Sequence, residues 1–458
     1  MLFVICLQAC ASLDTHEFIE NKNQVYENIP FFWQTKDGST LDRAATWELL
    51  FDDLILLNHL RTAERNNFDL QQVKINLEQS YLAVKQARTT LLPVINANGG
   101  GNVAALVRNL DNLNESFNNI LSLSWDPDIF GGRKAQLRQS SINQRIASYN
   151  TYNVRQQLMA NVINLYISII QSDLQVELSQ KNLEFLKERL RIANAQYEAG
   201  RIGLDQAAFA DSNYRSAVAS LEEQKFTSRQ LRRSFNFLLG RFDEPNIKIA
   251  KQLPVLKSLP KRDVPALVLH QRPDVKIAQD QINLALTTYK ITVISDWPIF
   301  TITGSISSGG NLDDLFSPSS YIANLGASAF GNIYDGGLNA LQRENLRLDI
   351  ESALINYQNV LVAAQNNVED IYDQSQVNQL QMESLIEATE AGDLALELEQ
   401  IRFELGQSDL LSVLQVQQSA LSNNAALINI KAALATTRVN AYLATGGDLD
   451  YGWSLRSK

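Results

Sequence analysis

The chain repeats itself. Phe68-Asp69 and Pro273-Asp274 each open an apolar-periodic segment that runs to a proline, Pro93 or Pro298, at an offset of 205 residues. Phe130 in the run DIFGGR matches Tyr334 in NIYDGG at an offset of 204. Tyr197-Glu-Ala-Gly200 matches Phe403-Glu-Leu-Gly406, and Leu239-Gly240 matches Thr445-Gly446, both at 206. These landmarks define a tandem duplication, 68–240 and 273–446, joined by 241–272, and five of the ten prolines (Pro245, Pro254, Pro260, Pro265 and Pro273) fall at that junction. The fold must therefore be one that two similar half-chains build together.

From Arg133 to Ala199 there is neither Pro nor Gly. As one helix that window spans ~100 Å at 1.5 Å per residue, far beyond ordinary globular helices. Its seam alternates steps of four and three through Leu158, Val162, Leu165, Ile169, Ser172, Val176, Ser179, Leu183, Leu186, Leu190, Ala193 and Tyr197, all apolar or aromatic but the two serines. The second half repeats the seam through Ile350, Leu354, Tyr357, Leu361, Ala364, Val368 and Ile371 to Phe403, with polar lapses at Ser375, Asn378, Thr389 and Glu399. A 3.5-residue period means supercoiled helix pairs. The spacing predicts long helices over 133–199 and 338–405, tips at Gly200 and Gly406, and return helices over 204–239 and 408–445. A coiled-coil spacer would satisfy this much equally well.

Short segments before each long helix separate the readings. Ile299 to Ser307 alternates apolar with small polar residues at period two, and Asn119 to Trp125 does the same. With weaker segments near Val94 and Tyr321, each half offers two strands: 94–105 and 117–126, then 298–308 and 320–330. Their lengths approach the ~9–11 residues that cross an outer membrane, and Trp125 and Trp297 lie at strand ends, where an aromatic belt would put them. Four strands cannot close a barrel, and open edges are forbidden in lipid, so a membrane reading demands an oligomer. Two copies supply eight strands and three supply twelve. The competing reading is a soluble four-stranded sheet capping a helical stalk.

Composition removes other classes. With 40 basic and 50 acidic residues the chain is net −10, which argues against a nucleic-acid partner. Its 45% hydrophobic content is too high for a disordered chain. His16, His59 and His270 are scattered and Cys6 and Cys10 sit together at the start, so no metal site, catalytic constellation or disulfide framework is expected. The most apolar stretch, Leu158 to Ile170, is broken by Asn161 and Asn164 and is too short for a transmembrane helix. Residues 1–10, MLFVICLQAC, read as the end of a signal peptide, and Leu7-Gln8-Ala9-Cys10 resembles a bacterial lipobox with Cys10 as the lipidated residue.

The duplicated plan, WDPDIFGGR before the first long helix, RPDVKIAQDQI opening the second half, Tyr-x-x-Gly and Phe-x-x-Gly at the tips, and LATGGD at the end together resemble the TolC-like outer-membrane efflux proteins, over about residues 40–450. The lipoprotein branch, which partners resistance-nodulation-division pumps, is the nearest in pattern. The resemblance implies a mainly α protein with transmembrane β: a homotrimer forming a 12-stranded β-barrel in outer-membrane lipid, continuous with a 12-helix α-barrel in the periplasm. Segments 11–67, 241–272 and 447–458 would form an equatorial belt. It implies a passive duct for small molecules, driven by an inner-membrane pump through a periplasmic adaptor, with no catalysis and no cofactor besides an N-terminal lipid. The same architecture also serves type I protein secretion, and a coiled-coil envelope lipoprotein without a pore stays as the outside reading.

The resemblance carries residues over at the tips. Adaptor-docking positions match Tyr197, Gly200, Arg201 and Leu204 in the first half and Phe403, Gly406, Ser408 and Leu410 in the second. Many relatives close the periplasmic end with a ring of aspartates nine residues after the second tip glycine, backed by an arginine three residues on. Here Gln415 and Gln418 stand at those places, Ser412 replaces an aspartate found in some relatives, and Leu411 keeps a hydrophobic ring position. Asp205 and Asp409 are either charges for a partner or helix-start caps.

Overall fold

The computed structural model describes residues 29–30, 33–34, 47, 51, 53–106, 109–242, 247–254, 265–310 and 317–447, with 105–106 and 109–114 described in backbone only. The lipobox with Cys10, most of 11–52 and 448–458 lie outside the described residues. In chain order the elements are α1 (Leu54–Asn66), α2 (Phe68–Thr89), β1 (Val94–Leu106), β2 (Asn109–Trp125), α3 (Gly132–Glu198), α4 (Leu204–Leu238), α5 (Pro265–Gln271), α6 (Pro273–Ser295), β3 (Ile299–Gly310), β4 (Tyr321–Phe330), α7 (Leu338–Glu404) and α8 (Leu410–Ala444). A single 3-10 turn, Pro318–Ser320, leads into β4. The duplication is reproduced to the residue in the helices: α3 and α7 each have 67 residues, α4 and α8 each 35.

The chain divides into two compact units, one formed by 75–149 with 276–360 and the other by 29–74, 150–275 and 361–458, besides the first 28 residues. In the first unit an antiparallel sheet runs in the order β1-β2-β3-β4. β2 starts at Asn109, eight residues before the expected 117. Residues 109–116 are rich in Asn, Asp and Glu, poor strand formers, but the ladder to β1 recruits them, with Ala104 opposite Asn114 and Val103 opposite Glu115. At the other end of the hairpin Val94 stands opposite Ser124.

The second unit holds the main core. Leu158, Val162, Ile163, Tyr166, Ile167, Ile169 and Ile170 of α3 are packed with Phe51, Leu56, Leu60 and Ala63, with Phe235 and Leu239, and with Val439 and Tyr442. Residues 158–170 are apolar nearly all round because they are enclosed nearly all round. Trp47 meets Tyr442 edge-on at 4.5 Å and donates from Nε1 to Gln156 Oε1 at 2.6 Å. His59 is a core residue, its ring set edge-on to Phe235 at 5.1 Å with Nε2 2.8 Å from the Lys248 carbonyl. In α7 the polar lapses of the seam are buried too: Ser375, Asn378 and Thr389 sit inside, and Asn378 Nδ2 donates to Thr437 Oγ1 of α8 at 3.1 Å. No helix among the described residues is long and apolar enough to cross a membrane.

Candidate functional site: sheet faces and hairpin tips

The register divides the sheet into two faces. Ile95, Leu123, Gly304 and Leu325 stand in one cross-strand row, Ala97, Leu121, Ile306 and Ala323 in the next, and Trp125, Ile302 and Ala327 share that face. The opposite face carries Asn96, Ser122, Ser305 and Asn324 in one row, flanked by Val94, Ser124, Thr303 and Gly326 on one side and Asn98, Ile120, Ser307 and Ile322 on the other. Alternation at period two makes the first face mainly greasy and the second mainly polar, with Val94, Ile120 and Ile322 as its apolar exceptions. The greasy face is uncovered: Leu325 is 86% exposed, and Ile95, Leu121 and Ile306 are exposed as well. Trp125 ends β2 and donates from Nε1 to the Leu91 carbonyl at 3.1 Å. Trp297 lies just before β3 against Phe130 at 5.1 Å, and Phe130 reaches Phe300 at 6.1 Å. Both tryptophans therefore sit at the helix-bearing end of the sheet, with aromatic neighbours that their spacing alone did not reveal.

At the far ends of the long helices the two tips share a backbone. Gly200 and Gly406 take φ of +68° and +73°, where an L side chain is strained. In each tip the residue after the glycine donates to the carbonyl five residues back and the glycine itself donates to the carbonyl of the aromatic residue. Arg201 N reaches Gln196 O at 2.8 Å and Gly200 N reaches Tyr197 O at 2.9 Å, while Gln407 N reaches Arg402 O at 2.8 Å and Gly406 N reaches Phe403 O at 3.0 Å. This is the glycine-terminated helix end that releases the last carbonyls from water.

Their side chains differ. In the first tip Tyr197, Arg201 and Leu204 are exposed, Leu204 at 63%. Helix α4 begins after Gly203 with no side-chain cap. In the second tip Leu410, the counterpart of Leu204, is 5% exposed and packs with Leu186, Ala193, Ala210 and Leu414. Its matched position expects a docking residue; this structure makes it part of the tip's core. Phe403 is half-buried beneath Arg189, whose guanidinium carbon lies 5.4 Å from its ring and 4.8 Å from that of Phe185. Arg189 is 7% exposed, its Nε lacks a hydrogen-bond partner, and burial pushes its pKa down against the pull of Glu404 and Glu188. Sequence reading missed Arg189 because its aromatic partner lies more than two hundred residues away.

Helix α8 starts at Leu410 rather than at 408. Asp409 is its N-cap, the carboxylate accepting the Ser412 N–H at 2.7 Å, and this bond holds its pKa below the ordinary carboxylate value. Asp409 is thus the cap of the two alternatives. Ser408 precedes the helix and donates to Glu399 Oε1. Leu411, Gln415 and Gln418, four and three residues apart, form an exposed stripe on α8 with Ser412 half-buried beside it, while Val413, Leu414 and Ala420 face inward.

Comparison with known proteins accords with this geometry. The outer membrane efflux protein family model matches residues 59–240 and 264–447, once per half. The pyoverdine export outer membrane protein OpmQ of Pseudomonas aeruginosa is 25% identical over 410 residues, 86% of this chain and 84% of that protein. Outer membrane protein OprJ of the same organism is 24% identical over 474 residues, 99% of this chain and 96% of that one. The crystal structure of the Campylobacter jejuni CmeC outer membrane channel superposes with a TM-score of 0.83 at 21% identity, covering 91% of each chain. The matched regions take in both halves of the duplication, and the chain belongs to the outer membrane efflux protein family.

Proposed function

We propose that three copies of this chain form the outer-membrane channel of a tripartite efflux system, a passive exit duct for small molecules. The observation that carries the reading is the sheet: mainly apolar and uncovered on one face, mainly polar on the other, open at both edges. In lipid an open edge costs several kcal/mol per unpaired backbone group, so β4 of one copy must pair with β1 of the next until a barrel closes. Eight strands fill with side chains, whereas twelve leave a lumen. The polar face then lines the duct and the greasy face meets outer-membrane lipid.

The helices support the same closure. In α6, Asp280 and Thr287 are buried within the chain, and α3 is joined there by Gln139 Nε2 to Thr288 Oγ1 at 2.8 Å and by Arg145 to Asp280. The repeat counterparts of that face are Ile75 and Leu82 on α2, both large, apolar and exposed. The counterparts of the buried Ala135 and Ile142 on α3 are Leu341 and Leu348 on α7, 68% and 55% exposed. One helix junction is thus made inside the chain, and its twin is left as two bare seams on the helices that adjoin the two free strands. A head-to-tail contact between copies fills both seams, and such contacts close into rings. Carried over by the repeat offsets, the α3–α6 register sets Leu82 between Leu341 and Leu348, and Ile75 between Leu348 and Ile355.

In this reading twelve helices continue the barrel into the periplasm, the tips meet a periplasmic adaptor serving an inner-membrane resistance-nodulation-division pump, and a lipid on Cys10 adds an anchor. The first tip offers Tyr197, Arg201 and Leu204 to the adaptor. The periplasmic end closes through Leu411, Ser412, Gln415 and Gln418, by packing and amide hydrogen bonds. Transport needs no catalytic residue and no cofactor. Stepwise conductance in planar bilayers from a three-chain particle, weighed in detergent, is the expected result; a silent monomer would end the reading. Without an acidic ring, divalent cations on the periplasmic side should block weakly. Strong block that disappears in Gln415→Ala would refute the amide gate alone.

A further inference from the structure

The two helix junctions have the same backbone plan and opposite chemistry, and the difference centres on one carboxylate. Asp280 of α6 is 6% exposed and accepts three hydrogen bonds: from Arg145 Nη2 at 2.6 Å, Arg145 Nε at 3.0 Å and Asn283 Nδ2 at 3.0 Å. Helices α2 and α6 begin 205 residues apart and α3 and α7 begin 206 apart. By those offsets Asp280 corresponds to Ile75, and Arg145 corresponds to Glu351, an exposed residue of α7.

We propose that the Arg145–Asp280 pair selects which junction forms within a chain and which forms between copies, by making the two unexchangeable. This inference rests on the ring proposed above. If α6 docked on the α7 of another copy, Asp280 would face Glu351, a buried carboxylate against a like charge. If α2 docked on α3, Ile75 would cover Arg145 and strip the guanidinium of its acceptor. Both exchanges break the Arg145–Asp280 pair and place an uncompensated charge in a helix seam, whereas the expected arrangement keeps the pair and leaves only the exposed Glu351 beside Ile75. Two similar half-chains invite exchange of equivalent helices between copies, and a charge at one of two twinned seams is a direct way to forbid it. Area alone does not discriminate, since both seams are otherwise built from heptad-spaced residues.

The test uses the full chain in detergent-extracted membranes, with cysteine cross-links identified by mass spectrometry of the joined peptides. A pair at Ile75→Cys and Ile355→Cys reports the expected α2–α7 contact between copies. A second pair, Thr287→Cys and Leu348→Cys, counted only in the cross-linked dimer band because α6 and α7 already meet within one chain through Gln281 and Asn356, reports the exchanged α6–α7 contact between copies. Glu351→Arg gives Asp280 an alternative guanidinium at a position that is exposed in the single chain but lies, by the same offsets, beside Ile75 in the α2–α7 seam, so the α2–α7 link is followed in the same variant. It should raise the exchanged cross-link about tenfold over the unsubstituted background. Adding Arg145→Asp with Asp280→Arg restores the internal pair and sets Arg against Arg across copies, so the exchanged link should return to background. An unchanged α6–α7 link in Glu351→Arg, with the α2–α7 link intact, would overturn the selection. Failure of the α2–α7 link in the unsubstituted protein would overturn the ring reading itself.

Discussion

The two halves of this chain have long helices and return helices of identical length and tips with the same backbone turn, yet one tip is presented and the other is folded in. Tyr197 and Leu204 stand out from the first tip, while their counterparts Phe403 and Leu410 are drawn toward Arg189 and toward Leu186, Ala193 and Ala210. The second tip shows Leu405 and Leu411 instead. Duplication therefore conserved lengths and turns, the quantities that keep the hairpins in step, and left side chains free to diverge. A symmetric chain would have to use each surface twice. This one spends one copy of each surface on itself and leaves the twin exposed.

The deepest test of that asymmetry lies in the cores. Tyr166 and Tyr372 occupy matching positions, 206 residues apart, and both are fully buried. Tyr166 sits among His59 and Phe235 in the large cluster, donates to Asp53 Oδ2 at 2.7 Å and accepts the Ala250 N–H at 3.0 Å. Burial and the Asp53 carboxylate both raise its pKa, so the hydroxyl keeps its proton. Tyr372 packs in a smaller cluster with Val268, Val368, Ala441 and Ala444. Tyr166→Ala should cost ~3–5 kcal/mol, more than Tyr372→Ala. Tyr166→Phe, which keeps the ring and strands its two partners, should cost ~1–3 kcal/mol. Denaturant unfolding followed by helical circular dichroism reads all three, and equal losses for the two alanine variants would erase the distinction between the halves.

A smaller effect is expected at the tips. Arg189→Ala removes a guanidinium from between two rings and should loosen the second tip by ~1–2 kcal/mol. Arg189→Lys should recover only part, because an ammonium lacks the planar face that lies on Phe403. Amide exchange over 395–410 is the measurement. Acceleration confined to 185–195 would mean that Phe185 alone anchors the arginine and that the two hairpins are not clasped through Phe403.

Much of this was legible in advance, for physical reasons. Periods of 3.5 and 2.0 mark which faces must be buried, and the tip glycines announce themselves because few other residues tolerate positive φ. The N-terminal part of β2 was not legible, since its Asn-rich residues 109–116 contradict strand propensity and are held by the ladder to β1. The partnership of Arg189 with Phe403 and of Arg145 with Asp280 was equally hidden, because each joins residues more than 130 positions apart. The family resemblance pointed to Leu410 by position. Only packing reveals that its side chain is spent inside: α8 starts one residue after Asp409 just as α4 starts one residue after Gly203, and what differs is that Leu410 meets Leu186, Ala193 and Ala210 while Leu204 is left exposed.

The smallest effect tests that last point through pH. The folded pKa of Asp409 is lowered from 3.8, chiefly by the Ser412 N–H. A lowered folded pKa means that the cap is fully effective above the unfolded value and is lost as pH falls through the folded one. Helix α4 begins after Gly203 with no side-chain cap, and its first-turn carboxylate, Asp205, does not stand at the cap position. Acidification from pH 5 toward pH 3 should therefore speed amide exchange at 410–413 severalfold beyond the intrinsic pH dependence, while 204–207 follow the intrinsic curve. Asp409→Asn keeps a side-chain acceptor without the titration and should flatten the response, which separates the cap from a general acid loosening of the hairpin tips. Matching acid responses in the two tips would show that their difference lies in packing alone, with the Asp409 carboxylate contributing nothing to it.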